Sequence, residues 1–176
     1  SHNRVLLKGG QSLRFLFLAK NLITRVVSIE TSIFITSEDQ TKNLMNIMKY
    51  VQQYADQIGG EFTDYDHTKS VVVVPIGGSR YQTVLAITQS SPVSGRDQAI
   101  FASKVCEYSH DLDLKLLLEQ NANFDYSKFV LEDGYLKIEA SCLASTASED
   151  QVREMIQEVA QLADHYELRF TGQDVH

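Results

Sequence analysis

Cys106 and His110 stand four residues apart in "KVCEYSH" (104–110). On a helix that spacing would set a thiol beside a base, the arrangement that generates a nucleophilic thiolate. The apolar residues around Cys106 favour a packed thiol instead. "DYDH" (64–67) and "HDLD" (110–113) gather carboxylates and an imidazole that could serve as hard metal ligands. Short acidic clusters of this kind also make caps and turns, and that is the reading taken here. "IGGSR" (76–80) has the glycines of a phosphate loop, but they join two strand-like runs and do not lead into a helix. Ser79, Ser94 and Ser103 lie in no GxSxG elbow. The histidines, His2, His67, His110, His165 and His176, form no HExxH, and no cysteine lies at zinc spacing from another. The expectation is a chain without catalytic residues, metal ligands or a cofactor.

Something must position even residues that do no chemistry, and the composition shows that it can. With 43% apolar and 22% charged residues, the 176-residue chain can bury a substantial core. A formal charge of −7, with 16 Lys and Arg spread thinly, argues against nucleic acid and anionic membranes. No run approaches the ~20 apolar residues of a membrane helix. "SLRFLFLAKNLI" (12–23) imitates a signal peptide, but Arg14 and Lys20 interrupt it, and it reads as a buried helix. Cys106 and Cys142 read as free thiols of a cytoplasmic protein.

Two amphipathic helices frame the chain. Val152, Met155, Ile156, Val159, Leu162, Ala163 and Tyr166 form one stripe, with Ser148 and Gln151 at capping-box spacing. Leu44, Ile47, Met48, Val51, Tyr54, Ala55 and Ile58 form the other, ended by Gly59-Gly60. Between them, Val71 to Ile76 and Arg80 to Thr88 read as a hairpin, with Pro75 at an edge or a bulge. Residues 89–110 resist assignment, and 111–121 read as a short helix. "VLEDGYLKIEAS" (130–141) specifies a second hairpin. A type I′ turn at Asp133-Gly134 sets Leu131 opposite Leu136, Phe129 opposite Ile138 and Lys128 opposite Glu139.

Residues 28–67 also echo residues 137–176. Ile29-Glu30 matches Ile138-Glu139, the "SEDQ" caps at Ser37 and Ser148 match, and Phe62-Thr63 matches Phe170-Thr171. A repeat of strand, capped helix and strand is the expectation, which would make the chain a fragment of a longer repeat protein. Residues 1–36 then form an N-terminal extension, a helix and strand from a partial repeat, ahead of a domain over 37–176.

The segment "LLLEQNANFDYSKFVLEDGYLKIEASCLASTASEDQVREMIQEVAQLADHYE" (116–167) resembles the type III secretion chaperone-like fold. The likeness is to the YbjN and CesT/Tir-chaperone-like groups. Leu116, Leu117, Asn121, Phe129, Leu131, Asp133, Gly134, Leu136, Ile138, Leu143, Val152, Ile156, Leu162 and Ala163 carry it, and it extends over roughly residues 40–168. The resemblance implies an α+β domain whose antiparallel sheet packs against helices. It implies a homodimer formed through residues 111–131, with Leu114, Leu117, Leu118, Phe124, Tyr126, Lys128 and Val130 at the dimer or partner surface. It also implies binding to a protein partner or client segment, with no catalytic residue to carry over. A tyrosine-rich, tryptophan-free chain suits such contacts. The alternatives are a small-molecule- or metal-binding domain, or an enzyme, with its site near Cys106, His110 and Asp113 or the "DYDH" turn.

Overall fold

The computed structural model describes residues 24–25 and 38–172. The helix expected over 12–23, the strand over 28–35 and the Ser37 cap lie outside the described residues. The chain divides into two compact units, Ser1–Thr41 and Lys42–His176, and the second holds the sheet.

Alternation builds that sheet. In β3 (Arg80–Ser90), Gln82, Val84, Ala86 and Thr88 are buried, whereas Tyr81 and Thr83 are exposed and Leu85 and Ile87 half-buried. A period of two of this kind puts one set of side chains on each face of a strand. The same pattern marks β2 (Lys69–Gly77), β4 (Asp97–Glu107) and β6 (Tyr135–Leu143). With β1 (Glu61–Asp66) and β5 (Ser127–Glu132) they form a six-stranded antiparallel sheet in the order β1-β2-β3-β4-β6-β5. The fold class is α+β, as expected.

Helix α1 (38–58) precedes the sheet, α2 (Leu114–Gln120) lies between β4 and β5, and α3 (Glu149–Thr171) ends the described chain. Ser148 caps α3, its Oγ accepting from the Gln151 N–H at 3.1 Å, and Glu149 and Asp150 occupy the first turn, where the helix dipole favours anions. Its stripe, from Val152 to Tyr166, is buried against the sheet together with Ile47, Val51, Tyr54 and Ala55 of α1. Ser70, Ala86, Phe101, Ala140 and Ser127 pair in one row across five strands, and all are buried. Four of the five are small, as are Ala160 and Ala163 on α3, so helix and sheet can approach closely around Phe101.

The hairpin between β5 and β6 has the expected register. Asp133 and Gly134 have φ of 52° and 77°, the double left-handed geometry of a type I′ turn. Leu131 pairs with Leu136, Phe129 with Ile138 and Lys128 with Glu139, where the ammonium meets the carboxylate at 3.2 Å. A Cβ at Gly134 would touch nothing, so the penalty there is purely conformational. Gly134→Val is therefore expected to destabilise the fold by about 1–2 kcal/mol or more, since a β-branched residue is disfavoured at positive φ. Urea denaturation measures this, and unchanged stability would refute the turn assignment. Pro75 sits beside a register shift between β2 and β3, as its missing N–H requires.

One unassigned segment is resolved and two expectations are corrected. The segment 89–110, unassigned from sequence, contains β4, an interior strand paired with both β3 and β6. The repeat fails at its end: Phe62-Thr63 lies in β1, whereas Phe170-Thr171 continues α3. Among the described residues the second copy thus has no closing strand. The helix expected over 111–121 is also shorter, since Leu114–Gln120 is α-helical and Asn121–Asn123 tightens to a 3₁₀ turn.

Candidate functional site

Asp113 starts α2 by accepting the Leu116 N–H on its carboxylate at 3.0 Å, and the helix lasts only seven residues. One of its leucines, Leu117, is buried. Leu114 is 37%, Leu116 38% and Leu118 67% exposed, a density of large apolar side chains that water disfavours. Beyond it, Phe124 tucks into an aromatic cluster with Phe129 and Tyr166. Glu158 of α3 then holds the chain leading into β5, its carboxylate accepting from the N–H groups of Asp125 and Tyr126 at 2.7 and 2.9 Å and from Ser127 Oγ at 2.8 Å. Tyr126 donates its hydroxyl to Glu154 at 2.6 Å, and that carboxylate raises the phenol above its ordinary pKa.

Strand β5 is a sheet edge. A two-residue hairpin closes on a hydrogen-bonded pair, here Glu132 and Tyr135, so Ser127, Phe129 and Leu131 turn their backbone groups away from β6. The Phe129 N–H is taken by Asn121 Oδ1 at 2.6 Å, which blunts one position of that edge.

The seven residues named from the resemblance therefore divide. Leu114 and Leu118 face outward on α2, Leu117 faces the core, and Phe124 is half-buried among aromatic rings. Tyr126 is partly exposed just before β5. Lys128 and Val130 lie on the face of β5 opposite the buried Phe129.

The candidates for chemistry are placed quite differently. Cys106 lies in a strand, not a helix, and burial and Glu167 together raise its thiol pKa, the reverse of activation. His110 meets Tyr108, with hydroxyl to Nδ1 at 3.4 Å and the rings edge to face. In "DYDH", Asp66 accepts from Thr68 N and Oγ at 2.7 and 2.6 Å, which lowers its pKa and builds a turn. In "HDLD", Asp113 is the α2 cap. Gly78 and Ser79 link β2 to β3, with no helix following. Among the described residues no group of three His, Cys, Asp or Glu gathers as a metal site, and no helix is long and apolar enough to cross a membrane.

Both cysteines are free thiols. Burial pushes Cys142 from 9.0 up to about 11, against a smaller opposing effect of a backbone hydrogen bond with Ala99. The folded thiol thus holds its proton to higher pH than the unfolded one. Its contribution to stability is complete below the ordinary value of 9.0 and is lost as pH rises to about 11. Urea midpoints measured across that window are expected to fall more for the parent chain than for Cys142→Ala.

Sequence reading missed a cavity. The β3–β4 ladder stops at Leu85–Ala102, although β3 begins at Arg80 and β4 runs on to Glu107. The strands fork there, and side chains bridge the gap. Gln82 Nε2 donates to Ser103 Oγ at 3.0 Å and to the Lys104 carbonyl at 3.2 Å, and Ser103 Oγ donates to the Thr83 carbonyl at 2.8 Å. The cavity at this fork measures about 480 Å³. Val71, Leu85 and Ala102 give it an apolar lining, and Tyr81, Lys104, Lys137 and Glu167 a polar one. Lys137 is neutralised by Glu132 at 2.7 Å, whereas Lys104 rests 3.8 Å over the Tyr135 ring and has no carboxylate partner among the described residues. One sequence signal did exist: Gln82 is a polar residue in phase with Val84 and Ala86, on the buried side of its strand.

No family model matches the chain, and a search of curated proteins returns no match either.

Proposed function

We propose that the chain is a non-enzymatic protein-binding module, chaperone-like or regulatory, that acts as a homodimer on a protein partner in the cytoplasm. The observation that carries this reading is α2. It is held by one buried leucine and shows three others to solvent, close in sequence to a sheet edge whose backbone groups face outward. Apolar surface of that kind is suited to a second copy or to an added strand of a client. The element order agrees with the type III secretion chaperone-like resemblance: helix, antiparallel strands, short helix, hairpin, long helix. Strand β4, inserted before α2, departs from that pattern. Two unpaired thiols suit a reducing compartment.

Light scattering on the purified chain tests the dimer. A mass twice the 19.8 kDa of one chain is expected. A strict monomer at every concentration would overturn the dimer.

A further inference from the structure

We propose that the fork between β3 and β4 binds a small carboxylate with an apolar body, held by its charge on Lys104 and by its hydrocarbon on Val71, Leu85 and Ala102. The cavity's volume of about 480 Å³ falls in the range of small-molecule sites, and it sets three apolar side chains beside polar and charged ones, the combination an amphipathic ligand needs. An interior sheet position ordinarily keeps its ladder, because unpaired backbone groups are costly. Here the ladder is given up, and the buried Gln82 amide bridges the gap with two donated hydrogen bonds. The space is thus built into the sheet by specific side chains.

The charges select the ligand. Lys137 is committed to Glu132, so Lys104 supplies the cation. The Tyr135 ring beneath Lys104 holds the ammonium in place without neutralising it, which a carboxylate pair would do. Glu167, also at the cavity, opposes negative charge, so only a single carboxylate seated on Lys104 is offset by a cation and monocarboxylates fit better than dicarboxylates. The same chemistry is offered by a free aliphatic acid and by the C-terminus of a peptide. The proposal stands apart from the dimer reading, since it concerns the fork alone.

Amide chemical shifts of the full chain, followed during titration with octanoate, test it. Saturable shifts at Leu85, Ala102 and Lys104 are expected, with octanamide leaving these signals in place. Lys104→Met, a substitution at an exposed side chain, is expected to weaken octanoate binding about tenfold or more while leaving the rest of the spectrum unchanged. A parallel titration uses an acetylated tripeptide ending in leucine, as free acid and as C-terminal amide. Binding of the acid but not the amide, with octanoate silent, assigns the site to peptide C-termini; the converse assigns it to free acids. Absence of saturable shifts with either probe overturns the proposal. So does equal binding of octanamide, or binding that Lys104→Met leaves intact.

Discussion

Phe129→Ala is expected to destabilise the fold by about 3–5 kcal/mol, the range for deleting a buried phenylalanine. Phe129 is 7% exposed at the centre of an aromatic cluster. Its ring meets Tyr166 edge-on with centroids 4.7 Å apart and Phe124 at 5.6 Å, and Tyr166 in turn stacks on Phe170 at 5.9 Å. Truncation therefore removes apolar burial and at least two ring contacts, and leaves a hole between β5 and α3 that neighbours can only partly refill. The N–H at position 129, which alanine keeps, holds Asn121, so any shift of the loosened edge strand also reaches the turn after α2. Urea unfolding measures the loss through a lowered midpoint at unchanged m-value. Val130→Ala is the control: on the same strand but the opposite, half-buried face, it is expected to cost about 1 kcal/mol or less. Equal effects at the two positions would mean that the cluster does not clamp β5 onto α3.

That clamp was legible in sequence only from the hairpin side. The Asp133-Gly134 turn fixes the register by itself, because a two-residue loop leaves no slack and a one-residue slip would reverse both faces. Long α3 was legible because its stripe keeps helical spacing over many turns and Ser148 marks its start. Strand β4 was not, for a physical reason. Its buried side alternates Ala99, Phe101, Ser103 and Val105, and the small residues demanded by a close-packed helix weaken the apolar signal.

The repeat misled in a similarly instructive way. Gly59-Gly60 stops α1 before Phe62, and a Cβ at Gly60 would lie 2.4 Å from the Val73 carbonyl oxygen, so the turn into β1 requires glycine. No such stop stands between Tyr166 and Phe170, and the helix carries Phe170 on to stack against Tyr166. The same Phe-Thr pair becomes strand or helix according to what precedes it. Within the proposed interaction surface, the resemblance names a run of residues but does not say which way each faces. On a helix as short as α2 that division depends on the packing of Leu117, which only the structure shows.

Leu114, Leu116 and Leu118, replaced together by glutamine, are expected to convert the proposed dimer to a monomer that stays folded, with only a modest loss of stability relative to the dissociated parent chain. Leu118 is 67% exposed and its replacement is worth within about 0.5 kcal/mol of folding stability, whereas Leu114 and Leu116, at 37% and 38%, are expected to cost about 1 kcal/mol each. Glutamine keeps good helix propensity, which leaves α2 formed on its Asp113 cap and Leu117 anchor. Across an interface the balance is different. Burying what remains exposed of each leucine is worth about 0.5–2 kcal/mol, and three of them on each copy sum to several kcal/mol, enough to weaken a dimer more than a hundredfold. Leu117→Ala provides the contrast, since loss of a 4% exposed side chain is expected to lower the urea midpoint by about 2–5 kcal/mol of stability. Light scattering and urea unfolding on the two variants therefore separate the two roles of one helix. A triple variant that remained dimeric would place the interface elsewhere, and one that unfolded would show that these leucines are core residues rather than surface.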